Sequence, residues 1–148
     1  MSARALPDLT LPAHTGEDVH LLTSAGPGGA LLVFVPYAFT PVCADELVTL
    51  VGSADALRAH GISPLVASCD TKYTLRAWAD SALGDAWDAV PLLSDFWPHG
   101  ALARACGVFD DRRGGPRRTA LLTDASGEVV DEESADFGRP RDLGRFVR

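Results

Sequence analysis

Ala30-Leu-Leu-Val-Phe-Val35, running directly into Pro36-Tyr-Ala-Phe-Thr40-Pro-Val-Cys43, is the stretch on which the fold turns. A continuous apolar run between turn-forming glycines and a proline is the pattern of a strand buried on both faces, and such a strand lies in the middle of its sheet. Pro36 ends it. Thr40 is a good helix N-cap, and Pro41 suits the first helical position, where its missing N–H has no partner to lose. The helix so begun runs to Gly61, and Leu47, Leu50, Ala54 and Leu57 follow Cys43 at helical spacing along one core-facing stripe. Cys43 therefore falls at the third helical position, beyond the carboxyl end of a central strand.

Outward from this stretch, Ile62 to Ser68 reads as a second buried strand, and Leu75, Trp78 and Ala82 mark one face of a helix from about Thr71 to Leu83. A short helix is expected over Gly100 to Ala105. Before the central strand, Val19 to Leu22 reads as a short strand and Gly26-Pro-Gly-Gly29 as a turn. Near the other end, Arg118 to Thr123 and Glu128 to Asp131 read as strands joined by the turn Asp124-Ala-Ser-Gly127. Strands alternating with helices and followed by a hairpin predict an α/β layered domain. No repeat, low-complexity tract or linker divides the chain, so residues 1–148 are expected to form one domain.

A hydrophobic fraction of 47% with 22% charged residues predicts a packed core. The net charge of -7 repels a polyanion and no helix carries a basic stripe, which argues against nucleic acid as a partner. Arg112, Arg113, Arg117 and Arg118 do crowd together, but Asp110, Asp111 and the break Gly114-Gly-Pro116 make this a solvated loop entering a strand, with one arginine free to point inward. The N-terminal residues lack the apolar region of a secretory signal and the longest apolar run is too short to span a bilayer, so a cytoplasmic protein without membrane contact is expected. His14, His20, His60 and His99 show no metal-ligand spacing with one another or with the cysteines, and the glycine pairs lack the lysine of a phosphate loop. Neither metal nor cofactor is expected. Three widely spaced cysteines, Cys43, Cys69 and Cys106, do not make a disulfide framework.

A buried cysteine is commonly inert packing, but the place of Cys43 is unusual. At a helix N-terminus, unpaired backbone N–H groups and the positive end of the dipole favour a thiolate over a thiol. Thr40 is a good cap and Pro36 a natural strand terminator whatever the function. Their joint spacing to Cys43 carries more: Pro36-x-x-x-Thr40-x-x-Cys43 resembles the active-site motif of the peroxiredoxins, with Glu46 where the family commonly has a glutamate. Pro91-Leu-Leu-Ser-Asp-Phe-Trp-Pro-His-Gly100 with Gly107-Val-Phe109 is similar to the one-cysteine members of the alkyl hydroperoxide reductase E type. Arg117-x-Thr119 followed by Asp124-x-x-Gly127 resembles the segment that supplies the family's catalytic arginine. The likeness extends from about Leu6 to Val130, while Asp136 to Arg148 is short for the family's final helix.

The resemblance implies a thioredoxin-like fold, a central mixed sheet flanked by helices, with the N-terminal extension of a peroxiredoxin. It also implies a thiol peroxidase in which Cys43 attacks a hydroperoxide and becomes a sulfenic acid, Thr40 holds the peroxide, Pro36 shields the site, and Arg117 stabilises the thiolate and the leaving oxygen. A homodimer is implied as well. The resolving cysteine that some relatives carry five residues on is Val48 here, and Cys69 and Cys106 read first as buried structural thiols, with Cys69, after a strand whose end should approach the same edge of the sheet, as the alternative resolving partner. An external reductant is therefore expected: a low-molecular-weight thiol, a thioredoxin or a glutaredoxin-like protein. A disulfide reductase is the weaker rival, because Thr40 stands where a C-x-x-C pair would need its first cysteine. A non-enzymatic redox sensor would use the same Cys43, and turnover with a reductant separates the two.

Overall fold

Strand β3, Gly29–Phe34, is buried along its whole length, and a sheet is built outward from it in both directions. The computed structural model describes residues 4–134; the C-terminal segment from Asp136 lies outside them. On one side, β4 (Ile62–Ser68) pairs parallel with β3, and β5 (Leu92–Ser94) pairs parallel with β4. Parallel neighbours need crossovers, which helices α1 (Pro41–Ala59) and α2 (Lys72–Leu83) supply. On the other side, β8 (Thr119–Thr123) runs antiparallel to β3 and is followed by its hairpin partner β9 (Val129–Ser134). The order β5-β4-β3-β8-β9 is thus a mixed sheet.

Because side chains alternate along a strand, β3 feeds two cores. Leu31, Val33 and Val35 pack with Cys43, Leu47, Leu50, Leu57, Leu75 and Trp78 beneath α1 and α2. Ala30, Leu32 and Phe34 meet the opposite layer, made by Leu6, Leu11 and Leu21 of the N-terminal segment with Leu102 and Ala103 of α3 (Ala101–Ala105). The apolar run had to be continuous because neither face of β3 sees water.

Helix α1 begins as read, with Thr40 at the N-cap and Pro41 first. It ends at His60, whose ring Nδ1 lies 2.9 Å from the Ala56 carbonyl, and Gly61 then turns away at φ 74°. Strand β4 and helix α2 have the expected bounds, with Thr71 Oγ1 accepting from the Thr74 N–H at 3.2 Å as the α2 cap. The expected strand at Val19–Leu22 differs: β2 covers Asp18–His20, and Leu21 begins a short 3-10 turn that drops its side chain into the second core. Strands β1 (Thr10–Pro12), β5, β6 (Phe109–Asp110) and β7 (Gly115–Pro116) have two or three residues each, too few to show a period in sequence. Among the described residues, no helix is long and apolar enough to cross a membrane.

Candidate active site

Cys43 occupies the first turn of α1 and is 1% exposed, packed against Val35, Leu47 and the core beneath the helix. The chain reaches it through a tight loop from Pro36, which is buried, to Thr40. Thr40 adopts the extended N-cap conformation, but its hydroxyl does not cap the helix. Instead it donates to the Tyr37 carbonyl at 3.2 Å, tying the loop to itself. Pro36, Thr40 and Cys43 are therefore brought to one place at the carboxyl end of β3, as the motif implied.

Arg117, the arginine expected there, is not brought to it. Its side chain is exposed and Nη2 donates to the Gly107 carbonyl at 2.9 Å, while its backbone N–H donates to Val108 at 2.7 Å. Arg118 faces the cysteine instead: Nη1 donates to Cys43 Sγ at 3.3 Å, and Nη2 pairs with Glu46 Oε1. The reason is strand register. Ala120 and Leu122 of β8 lie on the α1 face and Leu121 on the other, so alternation carried back from Ala120 puts Arg118 toward the sulfur and Arg117 away.

Glu46 follows Cys43 by three residues, and that spacing puts both side chains on one face of α1. Arg118 and Glu46 are 3% and 4% exposed, so two buried charges of opposite sign face each other. The guanidinium is a fork: one nitrogen is held by the carboxylate and the other is turned to the sulfur. A fixed positive charge in a dry site thus stands beside the sulfur, where it can balance negative charge that develops there. The motif places a glutamate at Glu46 without assigning it a contact, and its i,i+3 relation to Cys43 is the sequence signal for a shared face.

The other two cysteines sit in different surroundings. Burial, aided by the Asp95 and Asp70 carboxylates, pushes the Cys69 thiol up to about 12. Cys106 lies in the second core, where burial pushes its thiol to about 12 despite Arg4. Both remain protonated at neutral pH, and no disulfide links any of the three.

Residues 3–132 match the model of the AhpC/TSA family. The chain is 35% identical over 136 residues to alkyl hydroperoxide reductase E of Mycobacterium tuberculosis, covering 92% of this chain and 86% of that protein. It is 33% identical over 161 residues to the probable peroxiredoxin prdx-3 of Caenorhabditis elegans, covering 100% of this chain and 70% of that protein. Among solved structures it is similar to Enterococcus faecalis AhpC, with a TM-score of 0.85, 28% identity and coverage of 99% and 87% of the two chains. Peroxidoxin BcpB from Mycobacterium tuberculosis gives a TM-score of 0.79 at 27% identity, with 92% and 86% covered. These likenesses span the central sheet, the loop after β3 and the whole of α1 together, so the fold is thioredoxin-like and the chain belongs to the AhpC/TSA family, as a thiol-dependent peroxidase of the peroxiredoxin kind.

Proposed function

We propose that the protein reduces hydrogen peroxide or organic hydroperoxides by a one-cysteine cycle at Cys43. The observation that carries this reading is the Arg118 guanidinium 3.3 Å from Cys43 Sγ at the start of α1. The thiolate electron pair attacks the terminal oxygen of the hydroperoxide, forming an S–O bond as the O–O bond breaks. The departing alkoxide or hydroxide takes up a proton and leaves as alcohol or water. Cys43, oxidised by two electrons, is left as a sulfenic acid. A first external thiol condenses with it to a mixed disulfide, releasing water, and a second thiol displaces Cys43 as the thiolate.

In this cycle Arg118 takes the role expected of Arg117, balancing the sulfur and the oxygen on which charge develops. The Thr40 hydroxyl, donating to Tyr37, keeps lone pairs with which to accept the hydroperoxide O–H, and the Cys43 N–H is one of the unpaired donors of the helix start. Pro36 closes the site from the strand side. Near-complete burial of Cys43 suits the narrow O–O end of a hydroperoxide better than a bulky disulfide. Regeneration by an external thiol is supported by the protonated, buried state of Cys69 and Cys106.

The test is a peroxide-consumption assay with a panel of reductants: low-molecular-weight thiols, a thioredoxin and a glutaredoxin-like protein. Turnover with at least one of them is expected for the wild type and for Cys69→Ser and Cys106→Ser, but not for Cys43→Ser. One equivalent of peroxide should leave a sulfenic acid on Cys43. Retention of most of the rate by Cys43→Ser, or an internal Cys43–Cys69 disulfide as the main product by mass spectrometry, would overturn the one-cysteine cycle.

A further inference from the structure

The loop that carries Thr40 to the site holds a conformation that its own residues disfavour. Phe39 stands at φ 67°, a left-handed region that a bulky side chain keeps only where its surroundings impose it. One residue earlier, the Ala38 N–H donates to Asp70 Oδ2 at 2.9 Å. Asp70 lies just past the end of β4 and is itself fixed. The Ser68 hydroxyl donates to the same carboxylate oxygen at 2.8 Å, and the Asp70 N–H donates back to Ser68 Oγ at 3.1 Å. The Ser94 hydroxyl, at the end of β5, donates to the Asp70 carbonyl at 2.7 Å. Ser68 and Ser94 are both buried. The ends of β4 and β5 are thus tied to Asp70, Ser68 through its carboxylate and Ser94 through its backbone carbonyl, and the carboxylate holds the loop after β3 by its backbone.

We propose that Asp70 is a positioning residue for peroxide reduction: by holding the Ala38 N–H it sets the Pro36–Thr40 loop so that the Thr40 hydroxyl and the Cys43 N–H converge on the hydroperoxide. The inference rests on the peroxidase reading of Cys43. Asp70 bonds to the loop, to Ser68 and to Ser94, not to the sulfur or the guanidinium, so its effect is on where the oxygens sit rather than on the sulfur itself. Release of Ala38 would let Phe39 relax toward an ordinary φ and carry Thr40 with it. A misplacement of ~1 Å in such a constellation is enough to cost ~100-fold in rate.

The experiment compares two reactions of Cys43 in the full chain: oxidation by hydrogen peroxide, which needs the placed hydroxyl and N–H, and alkylation by iodoacetamide, which needs only the sulfur. Asp70→Ala is expected to slow oxidation ~30-fold or more while changing alkylation less than ~3-fold. Asp70→Asn, whose amide oxygen can still accept from Ala38, should recover oxidation to within ~5-fold of the wild type. Should Asp70→Ala fail to fold, Ser68→Ala removes the anchor of the carboxylate and should slow oxidation by ~5-fold, again sparing alkylation. An unchanged oxidation rate, or equal slowing of both reactions, overturns the proposal. A wild type inert to peroxide overturns the underlying peroxidase reading, and shows itself before any variant is compared.

Discussion

Arg117 and Arg118 are chemically identical neighbours, and only one can act on the sulfur. Loss of a preorganised charge aimed at developing negative charge costs on the order of 3 kcal/mol, or ~100-fold in rate. Arg118→Ala should show a loss of that size in the rate of Cys43 oxidation by peroxide, followed by stopped-flow fluorescence. Arg117→Ala, whose exposed guanidinium reaches Gly107 instead, should stay within ~3-fold of the wild type, since a solvated charge on the far face is screened. A larger loss for Arg117→Ala would mean that the register of β8 is displaced by one residue. Sequence could name the pair but not choose within it. A strand buried on both faces has apolar residues at both parities, so Ala120 to Leu122 carry no sign of which parity looks toward α1.

At the scale of elements, two junctions hold the layers in register. Gly29 opens β3 at φ 110°, and a Cβ there would lie 1.9 Å from the Thr123 carbonyl oxygen at the end of β8. Strain and overlap with backbone act together, so Gly29→Ala should destabilise the fold by about 3 kcal/mol or more in urea unfolding. The second junction is Asp95, which accepts from the N–H groups of Leu102 at 2.9 Å and Ala103 at 3.0 Å and so caps α3 from the loop after β5. Burial raises the Asp95 pKa, against the lowering by those two bonds. A carboxyl with a raised folded pKa binds its proton more tightly folded than unfolded. Its contribution to stability is therefore greatest below the ordinary aspartate value and falls as pH rises through the folded value. Relative to Asp95→Asn, which lacks this dependence, the wild type should lose ground in urea midpoint as pH is raised from about 4. A difference independent of pH would mean that Asp95 is ionised alike in both states.

For the whole molecule, the mixed sheet separates the three thiols. Cys43 lies in the core beneath α1, Cys106 in the core on the opposite face and Cys69 at the end of β4. With Cys69 and Cys106 pushed to about 12, only roughly one in ten thousand of either is thiolate at pH 8. Alkylation of the folded protein at that pH should therefore label Cys43 first, with the other two modified only after denaturant is added, as peptide mass spectrometry would record. Prior labelling of Cys69 would mean that its thiol is not held up as far as about 12. The sequence by itself determined the long elements and the nucleophile's address. The unbroken run Ala30 to Val35, the Thr40-Pro41 helix start and the stripe from Cys43 to Leu57 are local patterns, fixed by sterics, capping and periodicity within a few residues. What only the tertiary structure decided depends on partners distant along the chain. Arg118 meets Glu46 and Cys43 across more than 70 residues, and Asp70 meets Ala38 across 32. Such choices follow from how β8 and β4 dock beside β3, and no propensity within a short window encodes which face of a doubly buried strand will meet which layer.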